Sequence, residues 1–419
     1  MSCRVSRLLL ASVVLAGLAL CGCQNSAERQ GQDAVTAYYE GDFEQARTLL
    51  EPLARQTNGD FVLNNNRLGS TDLVLYRLDD AQSAFLRSYE VLNSVGVNDG
   101  GRSLGAVLLS ENIKVWKGEP WERALVNFYL GLTYYMQHDY GNARAAFENA
   151  LFKLRDYDPD DTDKYTDKDS NFALGYLMLA KSWQRLGEAD KAQAQFDRVR
   201  QLRPDLASLA DADMNREANL LLVVDWGQGP QLATSFDGSV VGFVPPPYRA
   251  GPIYLPRVLV DDQDYDMDDF ARAPVDTLAL AQDRKWQSID TIRAVKSAVG
   301  SGLLVGGAVM GMSDRRQNQE IGLGLFAAGL LLKATSQADT RQWEMVPRTI
   351  YVLPLHVSPG LHNVTVEFAG DYRQTWIGLP APATGDDTYY IHAGPWYEGT
   401  QHWPPAALHQ QSAGTASGQ

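Results

Sequence analysis

The chain has 419 residues, a formal net charge of −14 at neutral pH and three cysteines, Cys3, Cys21 and Cys23. Acidity on this scale repels nucleic acid and anionic lipid headgroups, which excludes both as general partners. With every cysteine in the first 23 residues, the remainder has no disulfide framework, no thiol nucleophile and no cysteine-ligated zinc or iron–sulfur centre.

Residues 1–22 show the three parts of an export signal: Arg4 and Arg7, an uncharged apolar run over 8–20, then small residues. The apolar run is too short to cross a bilayer, which takes about 20 helical residues. Leu20-Cys21-Gly22-Cys23 resembles the lipobox of bacterial lipoproteins, where a small residue precedes the cysteine that receives diacylglycerol. Gly22 gives Cys23 that context, whereas Leu20 denies it to Cys21. Cys23 is therefore the expected lipidation site, with palmitate-like acyl chains and a linker over 23–30. Gln24, in place of an aspartate, implies sorting to the outer membrane, facing the periplasm. Removing Arg4 and Arg7 with the signal takes the charge to −16.

From 31 to 210 the sequence predicts helical hairpins with a period of about 34 residues, as in tetratricopeptide (TPR) repeats. The clearest copy spans 125–155, with Leu130, Gly131, Tyr134, Ala143, Phe147 and Ala150 at the repeat positions. Small Gly131 and Ala143 let two helices approach, while Tyr134 and Phe147 fill the space between hairpins. A second copy, 171–204, has Leu179, Ala180, Trp183, Ala192 and Phe196, with Pro204 ending its helix. Two weaker copies precede them, one on Ala34, Ala37, Gly41, Ala46 and Leu50, the other pairing 61–75 with 81–92.

After Pro204 the period shortens. Apolar or β-branched runs at 220–224, 240–244, 253–260, 349–357, 361–368, 373–377 and 388–392, bounded by Gly, Pro and Asp, predict strands. Ser358-Pro359-Gly360 suggests a hairpin joining 349–357 to 361–368, and His362, Val364, Val366 and Phe368 give the latter run one apolar face. The fold class is thus α+β and multidomain: a TPR-like α-solenoid followed by a mainly β, sandwich-like domain over 215–400. Within the latter, 297–332 reads as a glycine-rich apolar insertion, predicted to be a helical hairpin buried against the strands. The Ala/Gly/Ser/Gln-rich tail, 406–419, is predicted to be disordered.

No Gly-Lys-Ser/Thr phosphate loop, His-Glu-x-x-His or Gly-x-Ser-x-Gly motif occurs. The six histidines are scattered. Two aspartate runs, 156–169 and 261–269, resemble calcium loops only loosely, because the first has Asp161 where the turn needs glycine; both read better as solvated acidic loops. The expectation is no catalytic residue, no metal and no cofactor.

Three stretches together resemble a family of poorly characterised bacterial TPR-repeat lipoproteins: GEPWERALVNFYLGL at 118–132, DWGQGP at 225–230, and ADTRQW at 338–343 ahead of Pro347. The likeness covers most of residues 30–380. One departure is Gly131, where the family more often has alanine. The resemblance implies an envelope component without an established reaction, sometimes grouped with lipoprotein activators of peptidoglycan synthases.

Two functions follow as expectations. The first is a non-catalytic scaffold, lipid-anchored in the cell envelope, that binds envelope or periplasmic proteins through the concave TPR groove. The alternative is a cell-wall enzyme, or an activator of a peptidoglycan synthase, acting through the β domain. In the TPR frame the groove is lined by Tyr38, Phe128, Leu132, Tyr135, Leu177, Lys181 and Gln184, an apolar and aromatic strip with one cation. The competing placement packs these aromatics against the next repeat, or against the β domain folded back into the groove. For the anchor, Cys23→Ala is expected to leave an unlipidated protein, uncleaved or soluble in the periplasm. Mass spectrometry showing no diacylglycerol on the wild type, together with membrane partitioning of the mutant, would refute this.

Overall fold

Helix pairing begins at glycines. A Cβ on Gly69 would lie 2.8 Å from the Phe85 ring, and one on Gly131 would lie 2.7 Å from Phe147. In each case the missing side chain leaves room for an aromatic from the facing helix. The structure, a computed structural model, describes residues 26–93, 113, 115–154, 172–235, 240–246, 254–266, 275–282, 332–333, 341–368, 372–395 and 399–405. Its helices form hairpins: α1 (26–39) with α2 (Phe43–Ala54), α3 (Phe61–Val74) with α4 (Leu78–Asn93), α5 (Pro120–Met136) with α6 (Tyr140–Lys153), and α7 (Ala173–Arg185) with α8 (Ala189–Leu202). Asp42 and Asp139 start the return helices by accepting hydrogen bonds from the Gln45 and Asn142 amides, both at 3.1 Å. Successive hairpins stack through α2 on α3, α4 on α5 and α6 on α7. These are the positions the repeat pattern predicts, and the helical part is TPR-like.

Helix α1 already takes in residues 26–30, where the sequence predicts a linker. The Gln30 amide there donates to the Leu49 carbonyl at 2.7 Å and ties this turn to α2. The predicted features at 1–22, Cys23, 156–169 and 406–419, and all of 297–332 but Leu332, lie outside the described residues. Among the described residues no helix is long and apolar enough to cross a membrane.

A short helix, α9 (Ala212–Glu217), leads into strand β1 (Leu220–Trp226), followed by β2 (Gln231–Ser235), β3 (Val240–Val244), β4 (Arg257–Val260), β5 (Gln263–Asp264) and β6 (Val275–Asp276). After α10 (Thr277–Gln282) come β7 (Leu332–Lys333), β8 (Thr349–Leu355), β9 (Gly360–Phe368), β10 (Tyr372–Ala381), β11 (Asp387–Ala393) and β12 (Gly399–His402). The strands form a four-stranded sheet, β11-β1-β8-β6, a five-stranded sheet, β12-β10-β9-β4-β5, and a small sheet, β2-β3-β7. Strand β1 runs parallel to β11 and antiparallel to β8.

Every residue of β1 is buried, because its two faces meet different layers. Leu220, Leu222, Val224 and Trp226 share a core with Val364, Val366, Phe368 and Trp376 of the five-stranded sheet. Trp226 stacks on Phe368 with ring centroids 4.2 Å apart. Leu221 and Val223, pointing the other way as the period of two requires, join the core of the helices together with Ile350, Val352 and Tyr390. The order of layers is therefore helices, four-stranded sheet, five-stranded sheet, and the core is continuous across the predicted 210/215 boundary.

The predicted hairpin of 349–357 with 361–368 does not form. Strand β8 pairs with β1 and β6, whereas β9 pairs with β10 and β4. The chain crosses between sheets around Ser358-Pro359. The reason is visible in the strands themselves: β8 is buried throughout and belongs to the sheet covered on both faces, while β9 alternates and suits the outer one.

Candidate functional site

The concave strip predicted to bind partners is already covered. Tyr38, Phe128, Leu132 and Leu177 are fully buried, and Tyr135 and Lys181 are each only 1% exposed. Phe128 does not face the groove: it packs against Phe147 of its own hairpin and against Phe172 at the start of the next. Tyr38 lies against His392 of β11, with ring centroids 4.7 Å apart. Gln184 donates to the Ala212 carbonyl at 2.9 Å. Partner binding through these side chains is thus corrected to internal packing, because the four-stranded sheet closes over the groove.

The polar part of the strip has an internal ligand. Asp386, on the loop between β10 and β11, is buried between Lys181 Nζ at 3.2 Å and Arg185 at 2.5 Å, and accepts from the Tyr135 hydroxyl at 3.1 Å. Two cations and a phenol converge on one carboxylate, which offsets the cost of desolvating it. Burial lowers the Lys181 pKa, and the Asp386 charge opposes that shift.

Toward the other end of the groove, residues 341–347 run as a strap with a turn at Glu344-Met345. Arg341 reaches the Gly59 carbonyl at 2.7 Å and Asp60 at 2.6 Å, while its own carbonyl accepts from Trp116 Nε1 at 2.9 Å. The Trp343 ring packs against Phe85 and Tyr129, and its amide donates to Glu122 Oε1 at 2.8 Å. Glu344 pairs with Arg67 at 2.6 Å, and its carbonyl accepts from the Tyr39 hydroxyl at 2.6 Å. Glu122 also caps its own helix by accepting from the Glu119 amide at 2.8 Å. Burial pushes the Glu122 carboxyl up to about 8, against the pull of these two amides.

Where strap, helices and sheet meet, Asp225 is buried and accepts at one oxygen, Oδ2, from the Tyr129 and Tyr390 hydroxyls, both at 2.7 Å. Burial raises its pKa to about 7, although both phenols favour the charged form. His392, also buried, is lowered to about 3 by desolvation and stays neutral. The three stretches that carry the family resemblance converge here: Glu122 and Tyr129 from the first, Asp225 from the second, Arg341 and Trp343 from the third. Gly229 belongs to the second as well, and an added Cβ would come within 2.5 Å of the Val346 carbonyl oxygen.

The run at 261–269 is structural where it is described. Asp261 and Asp262 have φ of 51° and 63°, the left-handed pair of a tight hairpin turn between β4 and β5. Asp261 accepts from His362 Nδ1 at 2.7 Å, and Asp264 pairs with Arg257. Among the described residues no group of three or more His, Cys, Asp or Glu side chains could hold a metal.

An open cleft of about 330 Å³ lies between α2 and α4 above α3. Arg47 crosses it to Asp72 at 2.7 Å and Asp80 at 3.1 Å. Burial pushes the Asp72 carboxyl up to about 7 in spite of Arg47. Arg87, Phe61 and Leu68 also line the cleft. Sequence reasoning missed this place, Asp225 and Asp386. A lone aspartate ending the apolar run of β1 was the one signal available for Asp225.

No protein-family model matches the chain, and no curated protein matches it. It aligns with crystal structures of MamA. One is 17% identical over 42% of this chain and 81% of the other, with a TM-score of 0.29. A second is 16% identical over 46% and 81%, with a TM-score of 0.30, and a third 19% identical over 42% and 98%, with a TM-score of 0.20. Overlaps this loose carry no argument, so the TPR-like description rests on the hairpins themselves.

Two predictions follow from the buried carboxylates. Asp386→Ala leaves Lys181 buried without a counter-charge and should cost roughly 3–5 kcal/mol in denaturant unfolding. Asp386→Asn with Lys181→Met removes the two fully buried charges, leaves Arg185 part-exposed to solvent, and should recover most of that loss; a single mutant as stable as wild type would show the cluster to be solvated. Asp225 holds its proton more tightly folded than unfolded, so its contribution is full below about pH 4 and is lost as pH rises through about 7. Asp225→Asn should therefore flatten the fall in stability between pH 4 and 8, by up to about 1.4 kcal/mol per pH unit. Identical pH slopes for the two proteins would contradict the burial of this carboxyl.

Proposed function

We propose that this chain is a non-catalytic scaffold of the bacterial cell envelope, held at a membrane by lipid on Cys23. Its partners are envelope or periplasmic proteins that bind its outer surfaces. The observation that carries this reading is the filling of the concave face by the chain's own strap and sheet. The usual peptide-binding side of a helical-hairpin array thus holds the protein together, and the outward sides of α2, α4, α6 and α8 and the five-stranded sheet remain for contact. The lipobox at 20–23 supports the anchor, and Gln24 supports an outer-membrane position facing the periplasm.

The test compares co-purification of crosslinked envelope proteins by the full-length wild type and by the Asp386→Asn, Lys181→Met double variant. Capture should be unchanged per folded molecule, since the altered groove is not the contact surface. Loss of capture with an intact thermal midpoint would return the partner to the groove and overturn the proposal.

A further inference from the structure

The cleft between α2 and α4 contains an arginine that the chain leaves incompletely matched. Three arginines and three carboxylates line the cleft, but they do not pair one to one. Arg47 serves both Asp72 and Asp80, and Arg55 pairs with Glu51 at 2.5 Å. Arg87 gives its Nε–H to the neutral Asn65 Oδ1 at 2.7 Å. Among the described residues its two terminal amino groups make no hydrogen bond or ion pair. A half-buried guanidinium whose two terminal amino groups are unused is a ready donor site for a carboxylate, and desolvation has already lowered its pKa. Asp72 and Asp80 act on Arg87 through space only, their hydrogen bonds going to Arg47. Phe61 and Leu68, 2% and 5% exposed, form an apolar floor to the cleft.

We propose that this cleft docks a segment of a partner protein that sets an aspartate or glutamate carboxylate on Arg87 and an apolar side chain on Phe61 and Leu68. The inference rests on the scaffold reading above and names the surface and the chemistry it recognises. Charge and size both favour this occupant. The donors left over are those of one guanidinium, which matches one carboxylate bidentately, and about 330 Å³ lies at the small end of ligand cavities. That is room for one or two side chains of a segment lying between two helices. The net negative charge of the chain opposes an acidic partner at long range, but physiological salt screens that repulsion beyond about 8 Å.

The experiment places a photoreactive residue at Ser83, on the lip of the cleft, or at exposed Leu361 on β9, in the full-length protein in cells. Crosslinked segments are then identified by mass spectrometry. Ser83 should capture a segment with an acidic residue within one helical turn of an apolar one, and Arg87→Gln should cut that yield roughly tenfold, the loss of one charge-assisted contact. A blocked synthetic peptide of the captured segment should bind the purified full-length protein, and its Glu-to-Gln or Asp-to-Asn version should bind roughly tenfold more weakly. Arg87→Glu should reverse the preference in favour of a lysine version, which separates charge recognition from any loss of folding. A captured segment without an acid, binding indifferent to Arg87, or equal competition by the small acid 4-methylpentanoate would each overturn the proposal. If Leu361 captures an envelope protein and Ser83 captures none, the cleft assignment falls and the scaffold reading stands. If neither captures anything, both fall.

Discussion

Strand β1 must bury both of its faces, and most of the architecture answers that requirement. Seven residues, Leu-Leu-Leu-Val-Val-Asp-Trp, leave no side for water. A sheet over one face and helices over the other are needed, and at roughly 25 cal/mol per Å² of apolar area the combined burial outweighs any single polar contact nearby. The solenoid gains from the same arrangement. Its concave face carries Tyr38, Leu132 and Leu177, which an open groove would expose. Covering them with the sheet solves two problems with one interface.

The polar contacts then fix where that interface sits. Apolar layers slide; carboxylates in sockets do not. Asp386 seats the sheet at α5 and α7, Glu344 seats the strap at α3, and Asp225 with Tyr129 joins β1 to α5. That the three stretches carrying the family resemblance meet at this joint gives them a structural meaning. Their described residues mark how the helices and the strands are held together.

How far the sequence could be read depended on the distance between interacting residues. The hairpins were legible because Gly131 and Phe147, or Ala180 and Phe196, lie within one repeat and follow its period. The inward direction of Tyr135, Lys181 and Gln184 was legible for the same reason. Their destination was not, since Tyr135 meets Asp386 across 251 residues and Arg67 meets Glu344 across 277. Phe128 shows a further limit: a helical frame gives a direction, and it cannot distinguish the groove from the seam between hairpins. Ser358-Pro359-Gly360 suggests a hairpin that does not form, because a hairpin and a crossing between sheets use the same turn residues. Cleft residues such as Arg87 gave no signal at all, because charged residues on a second repeat helix look like solvated surface until their partners are counted.

The strap has a consequence for biogenesis. A chain that emerges amino terminus first brings out all four hairpins before residues 341–393 arrive. Until then Arg67 and Lys181 face water, and the sheet that will cover Tyr38 does not exist. The solenoid is therefore a waiting half-structure during synthesis, its apolar groove open to solvent, and the carboxyl-terminal strands act as the latch that ends that interval.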